Sequence, residues 1–236
     1  MGSQNYYLLT MLPALGDPGA APPLTPRELR RITAEADGPL VLVDTVLLAD
    51  DLRLRDAVLA GEVDATTNDA LRSPAVLGSD QLRGEAPLPA HLTGGETDTG
   101  NASARTGVDA VWEAYFRHAA ATARQTGSEF LAAWVEWEVA LRNALARERT
   151  KALELVAEDY LVAPDLAGDE EVSEAVIAWT SAANPLDGLR ALDRWRWHWL
   201  VAHDAYFSFA DDEVAAYAAK LSLLRRWERL EAEKSE

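Results

Sequence analysis

Apolar residues recur at three- and four-residue steps along most of this chain, which is the spacing of one buried helical face. Residues 128–145 give the clearest case, because Ser128 supplies a capping side chain and an unbroken apolar seam follows it. The seam consists of Phe130, Trp134, Trp137, Leu141 and Leu145. The pattern predicts a long helix.

Two helix starts are marked by a capping residue followed by proline. Thr25 precedes Pro26, with Glu28 placed for a capping box, and Asn184-Pro185 repeats the device. The stretch 40–62 opens with apolar residues that could form a strand, but its later spacing is helical and favours a helix. In the last helical segment, Arg225, Arg226 and Arg229 are expected to complement the helix dipole near the C-terminal end. The chain is predicted to be all-α, a helical bundle.

The segment DRWRWHWLVAHD, residues 193–204, tests that prediction most sharply. A strand would place Trp195, Trp197 and Trp199 on one side, whereas a helix separates Trp197 from the other two. No turn signal interrupts the segment, so we expect a helix. Tryptophan on two sides predicts that this helix is central in the domain or contributes to an interface.

Residues 86–106 are rich in Gly, Pro, Thr and Ser and predict a flexible loop. The loop separates an N-terminal helical half, residues 1–85, from a C-terminal helical half, residues 107–236. A short helix is also expected over residues 67–77. A surface loop without function is the alternative to a hinge at 86–106.

Composition narrows the functional classes. The 236 residues include no cysteine, which excludes disulfides and thiolate metal sites, and the formal net charge is -17. Such a surface repels nucleic-acid backbones and favours a basic partner. The N-terminus lacks the basic region of a signal peptide, and no apolar run approaches the roughly 20 residues of a membrane span. We expect a soluble, cytoplasmic protein.

No pattern of catalytic or metal-binding residues stands out. His198 and His203 are five apart, about 140° around a helix, and do not converge on one metal. His91 and His118 have no acid and nucleophile arranged beside them, and no phosphate-binding loop occurs. The sequence predicts a protein that is not an enzyme, with no cofactor and no metal.

One basic stripe contrasts with the acidic background. Its members lie within about three helical turns: Arg142, Arg147, Arg149 and Lys151. The stripe could meet an acidic partner, or it could form ordinary surface salt bridges with Glu138 and Glu154.

Three stretches together resemble a known family. They are QNYYLLTMLPAL near the start, LRNALARERTKALELVAEDYL in the middle and YFSFADDEVAAYAAKLSLLRRWERL at the end. The family comprises bacterial proteins related to the C subunit of V-type (A-type) ATP synthases, including a domain of unknown function associated with V-type ATPase operons. The matching positions are Asn143, Arg149 and Lys151 in the middle, and Tyr217, Lys220 and Arg226 at the end.

The resemblance implies a bundle of repeated multi-helix units like that of the C subunit, acting as a non-catalytic adaptor. Such an adaptor couples the central rotor stalk to the membrane proteolipid ring. The partners would be the central-stalk subunits and that ring, without nucleic acid or direct membrane insertion. The protein would lie peripherally at the cytoplasmic face of the membrane.

Combining the stripe, the tryptophan helix and the resemblance gives one set of predicted partner-binding residues. The set is Arg142, Asn143, Arg147, Arg149, Lys151, Trp197, Tyr217, Lys220 and Arg226. The alternative function is a soluble acidic helical scaffold or regulatory protein unrelated to ATPases.

Overall fold

The computed structural model describes residues 5–63, 74–93 and 107–233, and within these ranges the chain is all-α with no strand. This confirms the predicted fold class. The helices are α1 (Tyr6–Met11), α2 (Pro26–Glu35), α3 (Leu40–Leu59), α4 (Ser79–Leu82), α5 (Gly107–Thr126), α6 (Glu129–Ala152), α7 (Ser173–Thr180), α8 (Pro185–Ala202) and α9 (Asp211–Glu233). Short 3₁₀ turns occupy Ala90–Leu92, Ala157–Tyr160 and Pro164–Leu166.

Parts of two predictions lie outside the described residues. Most of the helix expected over 67–77 falls there, and residues 74–77 form no helix. The predicted loop 86–106 is described only as far as residue 93, where a 3₁₀ turn buries Leu92. In the part of the chain that the structure describes, no helix combines the length and hydropathy required to cross a membrane.

Capping side chains begin the helices where the sequence predicts. The Thr25 hydroxyl accepts a hydrogen bond from the Glu28 amide at 3.2 Å, and the Glu28 carboxylate accepts from the Thr25 amide at 2.7 Å. The Thr25 hydroxyl also donates to this carboxylate at 2.8 Å, and the two hydrogen bonds from the Thr25 amide and hydroxyl lower the pKa of Glu28 below its usual value. Ser128 caps α6, and Asn184 caps α8 just before Pro185. Residues within one helical turn therefore determine these three starting points.

Tertiary contacts divide the chain into two compact units. The first contains the described residues of 1–87 and 193–236, and the second contains those of 88–192. The predicted halves kept 107–236 together, whereas these contacts group 193–233 with the N-terminal residues. The reason is that α9 packs against α2 and α3, a pairing between distant segments that periodicity does not reveal.

The first unit is built around α3, which packs against α2, α4 and α9. Apolar residues are buried nearly all round α3, including Leu42, Val43, Leu47 and Leu52. A helix covered on every side loses the one-sided apolar stripe of a surface helix. Four alanines of α9 are buried, and such small side chains permit close approach of neighbouring helices: Ala215, Ala216, Ala218 and Ala219. The central helix of the first unit is thus α3.

The tryptophan segment is helical, as predicted: its residues from 193 to Ala202 belong to α8. Trp197 and Trp199 are buried, and Trp195 is half-buried. The ring of His203 stacks on Trp199 with 3.9 Å between centroids, and its Nδ1 lies 2.9 Å from the Trp199 carbonyl oxygen. These contacts give His203 a structural role.

The second unit pairs α5 with α6, with α7 and two 3₁₀ turns packed against α6. Aromatic side chains fill much of its core, where rings meet edge to face or stacked. The rings belong to Trp112, Tyr115, Phe116, Phe130, Trp134 and Trp137. The apolar seam predicted for residues 128–145 is therefore buried.

Asp51 on α3 anchors the backbone of residues 75–77. Its carboxylate accepts hydrogen bonds from the amides of Ala75, Val76 and Leu77 at 2.8, 2.7 and 2.8 Å. The side chain is buried, and this loss of hydration raises the pKa of Asp51 to about 6 although the three amides favour the charged form.

The raised pKa of Asp51 makes its contribution to stability pH-dependent. The folded protein takes up this proton near pH 6 and the unfolded chain only near the ordinary value of 3.8, so Asp51 favours folding more at pH 5 than at pH 7. Urea unfolding of the wild type and of Asp51→Asn should therefore diverge. We expect the wild type to gain about 1 kcal/mol over the variant between pH 7 and pH 5; a constant difference would contradict the raised pKa.

Candidate functional site

The basic stripe of α6 separates into an inner residue and an outer group. Arg142 is half-buried, lies 3.2 Å from an Asp109 oxygen and covers the ring of Trp112 at 5.0 Å. Arg147, Arg149 and Lys151 are exposed. Arg142 therefore serves the packing of α5 on α6, and only the outer group is presented to solvent.

The outer group stays largely unneutralised. Arg149 lies over the ring of Trp179 at 5.2 Å, a contact that fixes its guanidinium without cancelling its charge. Arg147 and Lys151 make no ion pair with any residue that the structure describes. The alternative of a salt bridge between Lys151 and Glu154 is thus not realised within these ranges.

Exposed apolar side chains adjoin these cations where α6 ends. The Leu155 amide donates to the Thr150 carbonyl at 2.9 Å, so the chain turns back onto the last turn of the helix. Leu153, Leu155 and Val156 are 67%, 45% and 60% exposed. We call the six residues Arg147, Arg149, Lys151, Leu153, Leu155 and Val156 the basic–apolar surface.

The basic–apolar surface has the composition of a protein-binding site. Contiguous exposed apolar side chains mark interaction sites on soluble proteins, and arginine is enriched in interface cores. The chain as a whole has a net charge of -17 and attracts basic partners, whereas the cations of this surface attract acidic ones.

Asn143, predicted to bind a partner, is instead enclosed in the second unit. Its Nδ2 donates to the Val162 carbonyl at 3.0 Å and its Oδ1 accepts from the Val162 amide at 2.9 Å. The side chain is 1% exposed. Asn143 therefore holds residues 161–163 against α6, and its side chain is not accessible to a partner protein.

The three predicted residues of α9 each tie that helix to a different segment of the first unit. The Tyr217 hydroxyl donates to the Pro13 carbonyl at 2.8 Å, and burial raises its pKa. Lys220 pairs with Asp204, which follows α8. Arg226 lies 3.1 Å from Asp193 within α8. These residues are bracing contacts.

Two buried ion pairs dominate this bracing. Asp193 is fully buried, and one of its oxygens lies 3.1 Å from both Arg196 and Arg226. Burial lowers the pKa of Arg226 to about 10, which leaves it charged at neutral pH. Arg229 meets Asp50 of α3 at 2.7 and 2.9 Å through two hydrogen bonds. Burial opposes the Asp50 charge, yet the Arg229 charge keeps the pKa of Asp50 below its usual value.

The arginines of α9 have a different role from the one predicted. Their position in the sequence indicated that they would complement the helix dipole near the C-terminal end. The helix continues to Glu233 and has no basic residue in its last turn. Arg226 and Arg229 instead lie well inside α9 and neutralise buried carboxylates.

A groove of about 630 Å³ runs along the C-terminal part of α8 in the first unit. Its lining combines two tryptophans with charged and small side chains: Asp17, Pro18, Arg194, Trp197, His198, Val201, Ala202 and Trp227. Arg194 lies over the Trp227 ring at 5.7 Å. Trp197, predicted as an interface residue, is 9% exposed and lines this groove. It can contribute only an edge to a partner.

A pair of histidines meets in the second unit without any signal in the sequence. The rings of His91 and His118 stack with 4.1 Å between centroids, and burial together with the neighbouring His91 lowers the pKa of His118. The two residues are 27 positions apart, one in a 3₁₀ turn and one inside α5, so no local pattern indicates the contact. Within residues 5–63, 74–93 and 107–233, no three His, Cys, Asp or Glu side chains gather as metal ligands.

Comparison of the chain with protein-family models, with curated proteins and with solved structures finds no match.

Removing the Asp193 charge should destabilise the first unit strongly. In Asp193→Asn, Arg226, which is only 18% exposed, loses its fully buried counter-charge, and we expect the free energy of unfolding to fall by about 3 kcal/mol. Chemical denaturation measures the change. Glu35→Gln is the matched control, because it removes an exposed carboxylate 2.8 Å from Arg31 and should barely alter stability. Equal losses in the two variants would contradict the assignment of Asp193 as a structural node.

Proposed function

We propose that this chain is a non-catalytic adaptor of a V/A-type ATPase, similar to its C subunit, that couples the central rotor stalk to the membrane proteolipid ring. Its place would be peripheral, at the cytoplasmic face of the membrane, through contacts with the ATPase complex. The family assignment rests on the ordered sequence motifs, and the structure supports the mechanical part of the proposal.

One observation carries that support. Tyr217, Lys220 and Arg226, the terminal positions singled out by the resemblance, each fix α9 to a different segment. A part that transmits torque must keep its helices in register under load. Buried ion pairs suit this task because separating them exposes uncompensated charges inside the protein.

Partner contact is assigned to residues that remain accessible. The basic–apolar surface offers fixed positive charge beside apolar side chains, a combination that favours an acidic protein partner. The stalk or the ring would supply that partner. The groove beside Trp197 is a second accessible feature, on the first unit.

The competing function is a soluble acidic scaffold or regulator unrelated to ATPases. The net charge of -17 favours it, since such a surface attracts basic partners of any kind. The two functions differ in which proteins are bound and share the absence of assigned catalytic groups.

Affinity purification from the native host tests the adaptor function. A tagged chain should co-purify with the central-stalk subunits and the proteolipid ring in mild detergent. Recovery of neither, with the tagged protein folded and abundant, would overturn the adaptor function and leave the scaffold function standing.

Charge reversal separates binding from folding at the basic–apolar surface. The double variant Arg149→Glu with Lys151→Glu should lower recovery of the complex about tenfold or more, while the melting temperature changes little because both side chains are exposed. Arg124→Glu, an exposed arginine at the end of α5, is the matched control and should retain binding. If the double variant lost recovery of the complex and melting temperature together, the result would assign Arg149 and Lys151 a structural role instead.

A further inference from the structure

The connection between α8 and α9 presents aromatic side chains to solvent. Tyr206 and Phe207 are 69% and 71% exposed, with 4.5 Å between ring centroids. Tyr6 and Tyr7 on α1 are 46% and 78% exposed, and Tyr6 approaches Phe209 in the same connection at 5.1 Å. We call Tyr6, Tyr7, Tyr206 and Phe207 the aromatic patch.

The backbone beneath this patch is held in an unfavourable conformation. Phe207 and Phe209 have φ angles of +62° and +54°, a region that bulky residues rarely adopt. The carboxylate of Glu213, itself buried, accepts from the Phe207 amide at 3.1 Å and from the Phe209 amide at 2.7 Å. Backbone strain of this kind persists where the surroundings enforce it, and it concentrates at functional sites.

The charged side chains of the connection itself and of the start of α9 are acidic. Residues 203–213 include four acidic side chains and no lysine or arginine: Asp204, Asp211, Asp212 and Glu213. Asp211 is exposed and accepts from Asn5 beside Tyr6 at 2.7 Å. Lys220 is the base paired with Asp204. The residues of α1 itself carry no charge.

Aromatic faces flanked by carboxylates favour cations. The faces of Tyr and Phe rings attract arginine and lysine, and nearby carboxylates add ion pairing. A second copy of this chain and an anionic membrane are both disfavoured by the net charge of -17. Charge complementarity therefore favours a basic protein segment as the occupant of the patch.

We propose that the aromatic patch docks a basic, arginine-bearing segment of a partner protein. The rings of Tyr206 and Phe207 receive the guanidinium groups and apolar side chains of that segment, while Asp211 provides opposite charge. Glu213 is a positioning residue that keeps the connection in the presenting conformation. This docking goes beyond the adaptor function, because it uses a different surface and a partner of opposite charge.

Removal of the exposed rings is the direct test. The probe is a synthetic amphipathic helical peptide of leucine and arginine, compared at physiological ionic strength with peptides of the same pattern containing lysine or glutamate. Tyr206→Ser with Phe207→Ser should weaken binding of the arginine peptide about tenfold. Ile177→Ser, which removes a side chain that is 63% exposed in the second unit, is the matched control and should bind like the wild type.

Glycine at position 207 separates binding from folding. Phe207→Gly relieves the positive φ and should raise the melting temperature, yet it should also weaken peptide binding as the serine variant does. If the connection had only a structural role, Phe207→Gly would raise the melting temperature without weakening binding of the arginine peptide.

Three outcomes would overturn the proposal. They are unchanged affinity in the serine variant, equal binding of the glutamate peptide, and binding to phosphatidylcholine vesicles that depends on Phe207 while the arginine peptide does not bind. The last outcome would identify the patch as a membrane-contacting surface. Every binding measurement uses the full chain with a synthetic peptide or a vesicle as the probe. The result therefore does not depend on whether the chain binds an ATPase.

Discussion

The first unit depends on carboxylates that the fold buries and arginines that it brings to meet them. Asp50 and Asp193 would each destabilise the protein if they were left unpaired, because hydration lost on burial must be replaced by an opposite charge. Arg229 and Arg226 supply that charge from α9. The position of α9 relative to α3 and α8 is therefore constrained at two points, in addition to the less directional packing of its apolar side chains.

This constraint separates residues that hold the molecule together from residues that can meet a partner. The motif positions of α9 are occupied in bracing, and Asn143 is occupied in the same way within α6. Contact with other proteins is left to exposed groups. These are the basic–apolar surface of the second unit and the groove and aromatic patch of the first. Because the basic–apolar surface and the aromatic patch differ in charge, they fit different partners.

Local sequence was sufficient to predict features that depend on neighbours along the chain. Thr25, Ser128 and Asn184 cap their helices as expected, and the Asn184-Pro185 start with the uninterrupted length after it identified α8 correctly as a helix. These features follow from hydrogen bonds within one helical turn and from the helical repeat. Features that join distant segments could not be read in the same way. The Asp50–Arg229 pair spans 179 positions, and no periodicity links its two members.

Several polar residues accordingly have roles that the sequence did not indicate. Arg226 looked like a dipole-complementing surface residue, Asn143 like a contact residue, and His91 and His118 like unrelated histidines. Each acquired its actual role from a neighbour that only the tertiary structure supplies. The burial of Asn143, in particular, has no signature in a single sequence.

Hydrogen exchange of the backbone amides tests the central claim most directly, namely that the buried Asp50–Arg229 pair locks α9 to α3. If it does, the amides in the middle of both helices should exchange only through a shared opening, with the same free energy and the same response to denaturant. Faster exchange of α9, at a denaturant concentration where α3 stays protected, would contradict the claim and show that α9 detaches on its own.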